Sequence, residues 1–428
     1  DKVYDGAVTA SVSITDDRIS GDAITLTPTA AFANKNVGSG KAVSISGVVI
    51  GGADGGNYSW STGSGSATAD ITQLASVTWT GGGDGSNWFD PDNWGGAIPD
   101  LANVASVLIP TGVTVLFDTD NASGLAETGE VTVTTIGSAG SLNVAKGTLG
   151  VGAGGVTLDT LTQSGGALSS TGNIAVDTVA QTGGSTTTDG DLTVTSGYSQ
   201  GVSGAIEVAG SVTITDTAGG AVIGNLDTSG DLSVTSENGA ITQASGTTIV
   251  TDGGSTLTAS DGSSTTYDVI LDSATNDFAS TVTVTGTDVT IADTNALTLG
   301  AVNASGDLTA DSGANLSLSG TTVVGGNADL TATGALAQSA GSVDITGTTA
   351  LQAGTTISLA QSANDFGSDV SIAGATDVTL VDADGLSLGA VTASGDFDAT
   401  ATTGNVSLGG NVSVDSMVLL AATGAINH

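Results

Sequence analysis

Internal repetition at two lengths constrains the fold of this chain more than any other feature. The phrase Leu-Gly-Ala-Val at residues 299–302 returns at residues 388–391, and Gly306-Asp307 returns as Gly395-Asp396. These copies give a long period of about 89 residues. Within it, short phrases of alternating apolar and polar residues, each followed by Gly, Asn, Ser or Asp, recur about every 20 residues. Any fold for this chain must therefore stack similar short units.

The short period predicts a right-handed parallel β-helix, also called a β-solenoid, over residues 111–428. Each coil would hold two or three short strands, and its inward positions would form columns of Val, Ile, Leu and Ala. About 320 residues at about 20 per coil predict about 16 coils. No proline follows Pro110, which agrees with this fold because proline would remove a donor from the strand ladder. The chain is predicted to be all-β.

The first 75 residues differ from this body and predict a small β-sandwich module. Apolar and polar residues alternate at residues 8–14, 24–27 and 42–46, with Gly, Asp and Asn between these runs. Several short strands at such spacing are typical of a sandwich.

The opening residues of this module also carry a family resemblance. Tyr4, Asp5 and Gly6 follow Lys2-Val3, and matching phrases lie at residues 33–38, 52–58 and 67–72. Together they resemble the YDG domain, a repeat module of large secreted bacterial adhesins. The body is similar to the repeats of filamentous-haemagglutinin-like and autotransporter-like bacterial exoproteins. The resemblance implies a secreted or cell-surface bacterial protein and implies no catalysis.

The junction at residues 76–110 is rich in Trp, Gly and Asp. One interpretation is that Trp79, Trp88 and Trp94 cap the end of the solenoid and shield its apolar layers from water. A second is a glycan platform, in which aromatic faces stack on sugar rings and acidic side chains bind hydroxyl groups. A third is a calcium site, because hard cations prefer oxygen ligands. The acidic residues in question are Asp84, Asp90 and Asp92.

Charge and composition exclude several classes of function. The chain has 43 acidic and 5 basic residues, a formal charge of -38 and no Cys. Nucleic-acid binders carry a basic surface, so we expect no nucleic-acid partner. No apolar run is long enough for a membrane span, so we expect no membrane insertion. Without Cys there is no disulfide framework and no thiolate metal site.

The sequence predicts that the protein is not an enzyme. Lys146 is the only basic residue of the body, and His428 is terminal, so the cations that hold acidic polysaccharide substrates are missing. Acidic pairs such as Asp382 and Asp384 are frequent enough to arise by chance. The acids of the Gly-Asp phrases are interpreted as turn residues that bond their own backbone, with calcium bridging as the alternative. They are Asp191, Asp231, Asp307 and Asp396.

We therefore expect a secreted structural or adhesive rod, either an adhesin stalk or a biofilm-matrix element. It could assemble head-to-tail with other copies of itself into extracellular filaments. The alternative is a glycan-binding adhesin module that uses the Trp-rich junction or a solenoid face. The expected partners are other copies, an extracellular polysaccharide, or a host or neighbouring cell surface. No cofactor is required, and calcium is the candidate ion. The start at Asp1 and the end within a repeat phrase predict a processed form or a section of a longer protein.

Overall fold

The computed structural model describes residues 1–61, 65–121, 131–137 and 140–428. It is nearly all β, and the described residues contain no α-helix. The predicted fold class is confirmed: a small N-terminal β module precedes a β-solenoid of about 15 turns. The chain forms two compact units, Asp1–Leu158 and Asp159–His428, which are described separately. Within the described ranges there are three short 3-10 helices, at Gly55–Asn57, Pro91–Trp94 and Thr119–Asn121.

The N-terminal module contains one four-stranded sheet with the order β1-β4-β3-β2. Strands β2 and β4 run antiparallel to β3, and β1 is parallel to β4. The predicted strands at residues 24–27 and 42–46 fall on β2 and β3. The four strands are β1 (Lys2–Val3), β2 (Thr25–Phe32), β3 (Gly38–Gly51) and β4 (Gly65–Thr72).

The alternating run at residues 8–14 forms only an isolated bridge between Thr9 and Ala31, not the strand predicted there. The bridge is made by Ala10 N donating to Ala30 O and by Phe32 N donating to Val8 O. These two bonds show that residues 30 and 32 turn their backbone groups to the open edge of β2. By alternation the next residue facing that edge is Pro28. Proline has no N–H, so the pairing cannot continue past this point.

Parallel coils begin at β5, which crosses the predicted boundary between the module and the junction. In this first unit β5 pairs with β6, β6 and β10 pair with β8, and β7 pairs with β9, all in parallel. The strands are β5 (Leu74–Thr78), β6 (Val104–Leu108), β7 (Thr114–Asp118), β8 (Val131–Gly137), β9 (Ser141–Lys146) and β10 (Thr148–Gln163), the last of which extends into the second unit.

The second unit consists of the remaining 32 strands. Through most of it each strand pairs in parallel with the third strand along the chain, as β14 does with β17, so one coil holds three strands. The strands are β11 (Ala167–Ser170), β12 (Ile174–Thr188), β13 (Leu192–Val208), β14 (Val212–Asp216), β15 (Ala221–Ile223), β16 (Asn225–Thr228), β17 (Leu232–Ser236), β18 (Ile241–Gln243), β19 (Ile249–Thr251), β20 (Ser255–Ala259), β21 (Val269–Leu271), β22 (Asp277–Phe278), β23 (Thr281–Gly286), β24 (Val289–Asp293), β25 (Leu297–Ala304), β26 (Leu308–Ser312), β27 (Leu316–Leu318), β28 (Thr322–Val324), β29 (Ala328–Ala332), β30 (Leu336–Gln338), β31 (Val343–Ile345), β32 (Thr349–Ala353), β33 (Ile357–Leu359), β34 (Asp365–Phe366), β35 (Asp369–Gly374), β36 (Val378–Asp382), β37 (Leu386–Ala393), β38 (Phe397–Ala401), β39 (Val406–Leu408), β40 (Val412–Val414), β41 (Val418–Ala422) and β42 (Ile426–Asn427).

Strand register confirms the short period read from the sequence. Leu308 lies beside Ala328, and Ala328 lies beside Thr349, which are steps of 20 and 21 residues. Elsewhere the step lengthens, as from Leu232 to Ser255, without breaking the column of paired residues. Variation in coil length is therefore taken up in the turns.

The inward positions are buried aliphatic residues with a few aromatic and polar exceptions. Val212, Leu232 and Leu257 are fully buried members of such columns, and removal of their apolar surface from water favours the fold. Among the largest buried side chains of this unit are Tyr198, Phe278, Phe366 and Phe397.

Two pairs of amide side chains, each of a buried Asn and a half-buried Gln, recur with the long period. Gln243 and Asn276 exchange two side-chain hydrogen bonds of 2.7 and 2.9 Å. Gln338 and Asn364 do the same at 2.7 and 2.8 Å. In each copy the Asn side chain also bonds two backbone groups, so it satisfies polar atoms that would otherwise be buried without a partner.

Candidate functional site

The three junction tryptophans form a buried cluster at the first coils. Trp79 and Trp94 meet edge to face at 4.8 Å, and Trp88 packs on Trp94 at 5.1 Å and on Phe117 at 5.5 Å. Trp88 Nε1 donates to Pro99 O at 3.0 Å, and Trp94 Nε1 donates to Trp88 O at 2.6 Å. This arrangement agrees with the cap interpretation.

Burial argues against the glycan platform at these tryptophans. Trp79, Trp88 and Trp94 are 5%, 0% and 2% exposed. A sugar ring can stack only on an aromatic face that is open to solvent. The glycan interpretation of this cluster is therefore corrected: its faces are covered by protein, and a glycan would have to bind elsewhere.

Two of the three carboxylates predicted to hold calcium, those of Asp84 and Asp90, instead accept hydrogen bonds from the loop that carries them. Asp84 Oδ1 accepts from Ser86 N and Asn87 N, both at 2.9 Å, and these bonds lower the pKa of Asp84. Asp90 accepts from Asp84 N at 2.8 Å and from Asp92 N at 3.1 Å. Among the described residues, Asp84, Asp90 and Asp92 do not form a group of ligand oxygens close enough for one ion. The carboxylates of Asp84 and Asp90 therefore shape the loop beside the Trp cluster.

The YDG motif lies at an internal contact of the first unit. Tyr4 is buried, and its hydroxyl oxygen lies 2.9 Å from Ile98 O. Asp5 is exposed and forms an ion pair with Lys2 at 2.7 Å. Gly6 has a φ of +77° and faces the backbone of Gly96. Tyr4 and Gly6 therefore connect the module to the chain beyond it.

The acids of the Gly-Asp phrases bond the next coil and not their own turn. Asp191 Oδ1 accepts from Ser211 N at 2.9 Å, Asp231 Oδ1 from Gly254 N at 2.8 Å, and Asp307 Oδ1 from Asn327 N at 2.7 Å. Asp396 likewise accepts from Met417 N and from the Ser416 hydroxyl. These acids lie in turns, as predicted, but they do not bond the backbone of their own turn. Their side chains join neighbouring coils.

One group of acids in the described residues has metal-ligand spacing. The carboxylate oxygens of Asp365, Asp382 and Asp384 lie within 4.8 Å of one another. Asp382 is fully buried, accepts from Phe366 N at 3.0 Å and from Asp384 N at 2.8 Å, and its pKa is raised to about 6 by burial and by Asp384. Asp382 and Asp384 are the pair expected above to arise by chance. Asp365 was not predicted to join them, although the repeated Asn-Asp-Phe phrase could have indicated it.

A shallow groove lies on one face of the second unit. Its cavity has a volume of about 250 Å³, and Glu207 and Asp227 are among its lining residues. These two exposed acids are paired neighbours on successive coils. Like charges placed side by side repel each other, so a ligand that donates hydrogen bonds to both would relieve the repulsion. The other lining residues are Ser185, Thr186, Thr187, Ala205, Ile206, Asn225, Leu226, Thr248 and Val250.

In the part of the chain that the structure describes, no helix has the length and apolar character needed to cross a membrane.

Comparisons with known proteins define the chain as a module followed by repeats. The YDG domain matches residues 1–69. A family of repeats of unknown function (DUF5649) matches residues 209–285, 286–335, 310–373 and 375–427, together just over half of the chain. The chain therefore belongs to this repeat family. No curated protein and no solved structure matches it.

Proposed function

We propose that the chain is a secreted bacterial structural or adhesive rod, an adhesin stalk or biofilm-matrix element that acts by shape and repetition. The observation that carries this proposal is the parallel pairing of strands, which continues from coil to coil through the second unit with only local shifts of register. Leu192, Val212, Leu232 and Ser255 form one such column over four coils. Each coil contacts mainly its neighbours, which is the organisation of an extended structural element.

Head-to-tail assembly is the finer part of this proposal. Val418 and Ile426 pair with Phe397 and Val406, which are fully buried, yet they are 45% and 53% exposed. They continue the inward columns of the solenoid. A strand that a second copy adds beside them would bury both side chains.

Negative-stain electron microscopy of the purified chain, with calcium and with a chelator, tests assembly. We expect end-to-end filaments that Val418→Asp combined with Ile426→Asp abolishes. The matched control is Val323→Asp, an outward valine that is 39% exposed in the middle of the solenoid. Separate particles at high concentration would contradict assembly, and loss of filaments on chelation would give the carboxylates a role. Antibody labelling of intact cells and of the culture medium tests the proposed surface or secreted location.

The second candidate function is glycan binding, and the groove around Glu207 and Asp227 favours it. Exposed carboxylates accept hydrogen bonds from sugar hydroxyl groups, and the groove places two of them one coil apart. Glycan-array binding should fall when Glu207→Gln and Asp227→Asn are combined. Glu237→Gln, at another exposed acid, is the control. Equal binding by all three proteins would refute this site. Both candidates act without catalysis.

A further inference from the structure

Two separate segments of the YDG module converge on one turn of the chain that follows it. The first carries the YDG motif at residues 2–6, and the second runs from residue 33 to residue 38. Both contact residues 96–103, which lie between the Trp cluster and strand β6. All of these residues belong to the first compact unit. We call residues 96–103 the docking turn.

Asp100 is the charged centre of the docking turn. Lys35 Nζ lies 2.5 Å from Asp100 Oδ2, and the Tyr4 hydroxyl donates to Asp100 Oδ1 at 3.1 Å. Asp100 is 5% exposed, so its charge depends on these partners and not on water. Removing one partner of a buried ion pair leaves the other charge uncompensated, which is strongly destabilising. Burial and the nearby carboxylate of Asp100 raise the pKa of the Tyr4 hydroxyl, so this hydroxyl keeps its proton and remains a hydrogen-bond donor.

Asn103 fixes the other end of the docking turn. Its Oδ1 accepts from Val37 N at 2.8 Å, and its Nδ2 donates to Asp100 Oδ1 at 2.8 Å. The opposite side of the turn accepts the bond from Trp88 at Pro99 O. The docking turn is therefore held by the YDG module on one side and by the Trp cluster on the other.

Gly6 allows the backbone of the YDG motif to lie very close to the backbone of the docking turn. A Cβ atom at this position would lie 1.9 Å from Gly96 O. No side chain fits there, and the φ of +77° is also one that other residues rarely adopt. Tyr4 and Gly6 of the motif thus face the docking turn, and only Asp5 faces solvent.

We propose that the YDG motif is a docking element that recognises a turn presenting an Asp and, three residues later, an Asn on the module that follows. Tyr4 and Lys35 bind the carboxylate, Val37 binds the Asn side chain, and Gly6 admits the neighbouring backbone. In this chain the partner is the turn that carries Asp100 and Asn103, next to the first coils of the solenoid. This role is independent of adhesion or filament formation.

Hydrogen exchange of the full chain, measured by mass spectrometry, tests the proposal. In Tyr4→Phe and in Lys35→Met, peptides covering residues 33–38 and 97–104 should exchange at least about tenfold faster, since each variant removes a hydrogen bond to a charged group. Peptides covering residues 42–50 in β3 should keep their rates. Tyr58→Phe is the matched control, because Tyr58 bonds Asp22 and Ile19 away from the docking turn.

A second comparison separates docking from the folding of the module itself. Gly6→Ala should release the docking turn, whereas Gly40→Ala should not, because Gly40 also has positive φ but has no heavy atom within 4 Å of an added Cβ. Unchanged exchange at residues 97–104 in the Tyr4, Lys35 and Gly6 variants would overturn the proposal. Uniformly faster exchange throughout residues 1–75 would also overturn it, since these residues would then serve only the core of the module.

Discussion

The amide pair of Gln338 and Asn364 offers the sharpest test of how the repeats are held together. Asn364→Ala would remove the two bonds exchanged with Gln338, the bond from Asn364 Nδ2 to Leu359 O at 3.2 Å, and the bond from Val343 N to Asn364 Oδ1 at 3.0 Å. Four hydrogen bonds would be lost, and several of their partners would stay buried without a replacement.

The expected loss of local stability is about 3–5 kcal/mol, taking about 1 kcal/mol for each net bond and a further cost for groups left unsatisfied. Because repeat proteins need not unfold in one step, the loss should be measured locally. Amide exchange in peptides covering residues 336–345 and 357–366 is the appropriate assay. Asn276→Ala in the first copy should cost a similar amount at residues 241–251 and 269–278.

The control is Asn295→Ala, because Asn295 is an exposed turn residue. Its effect should stay within about 0.5 kcal/mol, as for other surface substitutions. A loss below about 1 kcal/mol for Asn364→Ala would refute the reasoning. So would an equal effect of the control variant.

Three further predictions concern a buried acid, the Trp cluster and a hydrogen bond between coils. Burial raises the pKa of Asp382 to about 6, above the value of about 3.9 for an unfolded Asp. The contribution of Asp382 to the unfolding free energy should therefore increase as the pH falls from about 7 to about 4. The unfolding free energy, measured against pH, should show this increase in the wild type and lack it in Asp382→Asn. Trp88→Ala should cost about 3–5 kcal/mol in urea unfolding of the first coils, whereas Trp60→Ala, at a tryptophan that is 37% exposed, should cost far less. Asp307→Ala should cost about 1 kcal/mol and speed exchange of the Asn327 amide, and a change confined to Asp307's own turn would contradict the ladder between coils.

Repetition made the solenoid predictable from the sequence, because stacked coils require the same alternation at every level. The step of 20 residues from Leu308 to Ala328 agrees with the period of about 20 that the short alternating phrases predicted. The sequence also predicted a cap from Trp79, Trp88 and Trp94, which precede a long run that has few aromatic residues. Both features follow from local composition and spacing.

Contacts between distant residues could not be read in this way. Alternation at residues 8–14 predicted a strand, but the strand it needed as a partner contains Pro28 at the facing edge. The predicted glycan and calcium residues had suitable side chains, but the fold buries the tryptophans and turns the carboxylates of Asp84 and Asp90 to backbone amides. Tyr4 and Asp100 are separated by 96 residues in the sequence, and no local pattern predicts their contact.

The central claim is that the solenoid is a stack of similar coils in which each coil contacts mainly its neighbours. Removal of one complete coil tests this claim most directly. Deleting residues 308–327 takes out one step of the register, from Leu308 to Ala328, so Ala328 can take the place of Leu308 beside Val289. Deleting only residues 308–317 leaves half a coil and puts later side chains out of register. We predict that the first variant keeps the far-ultraviolet circular dichroism and the urea midpoint of the full chain, while the second loses both. Equal damage from the two deletions would contradict a structural element built from independent, stacked coils.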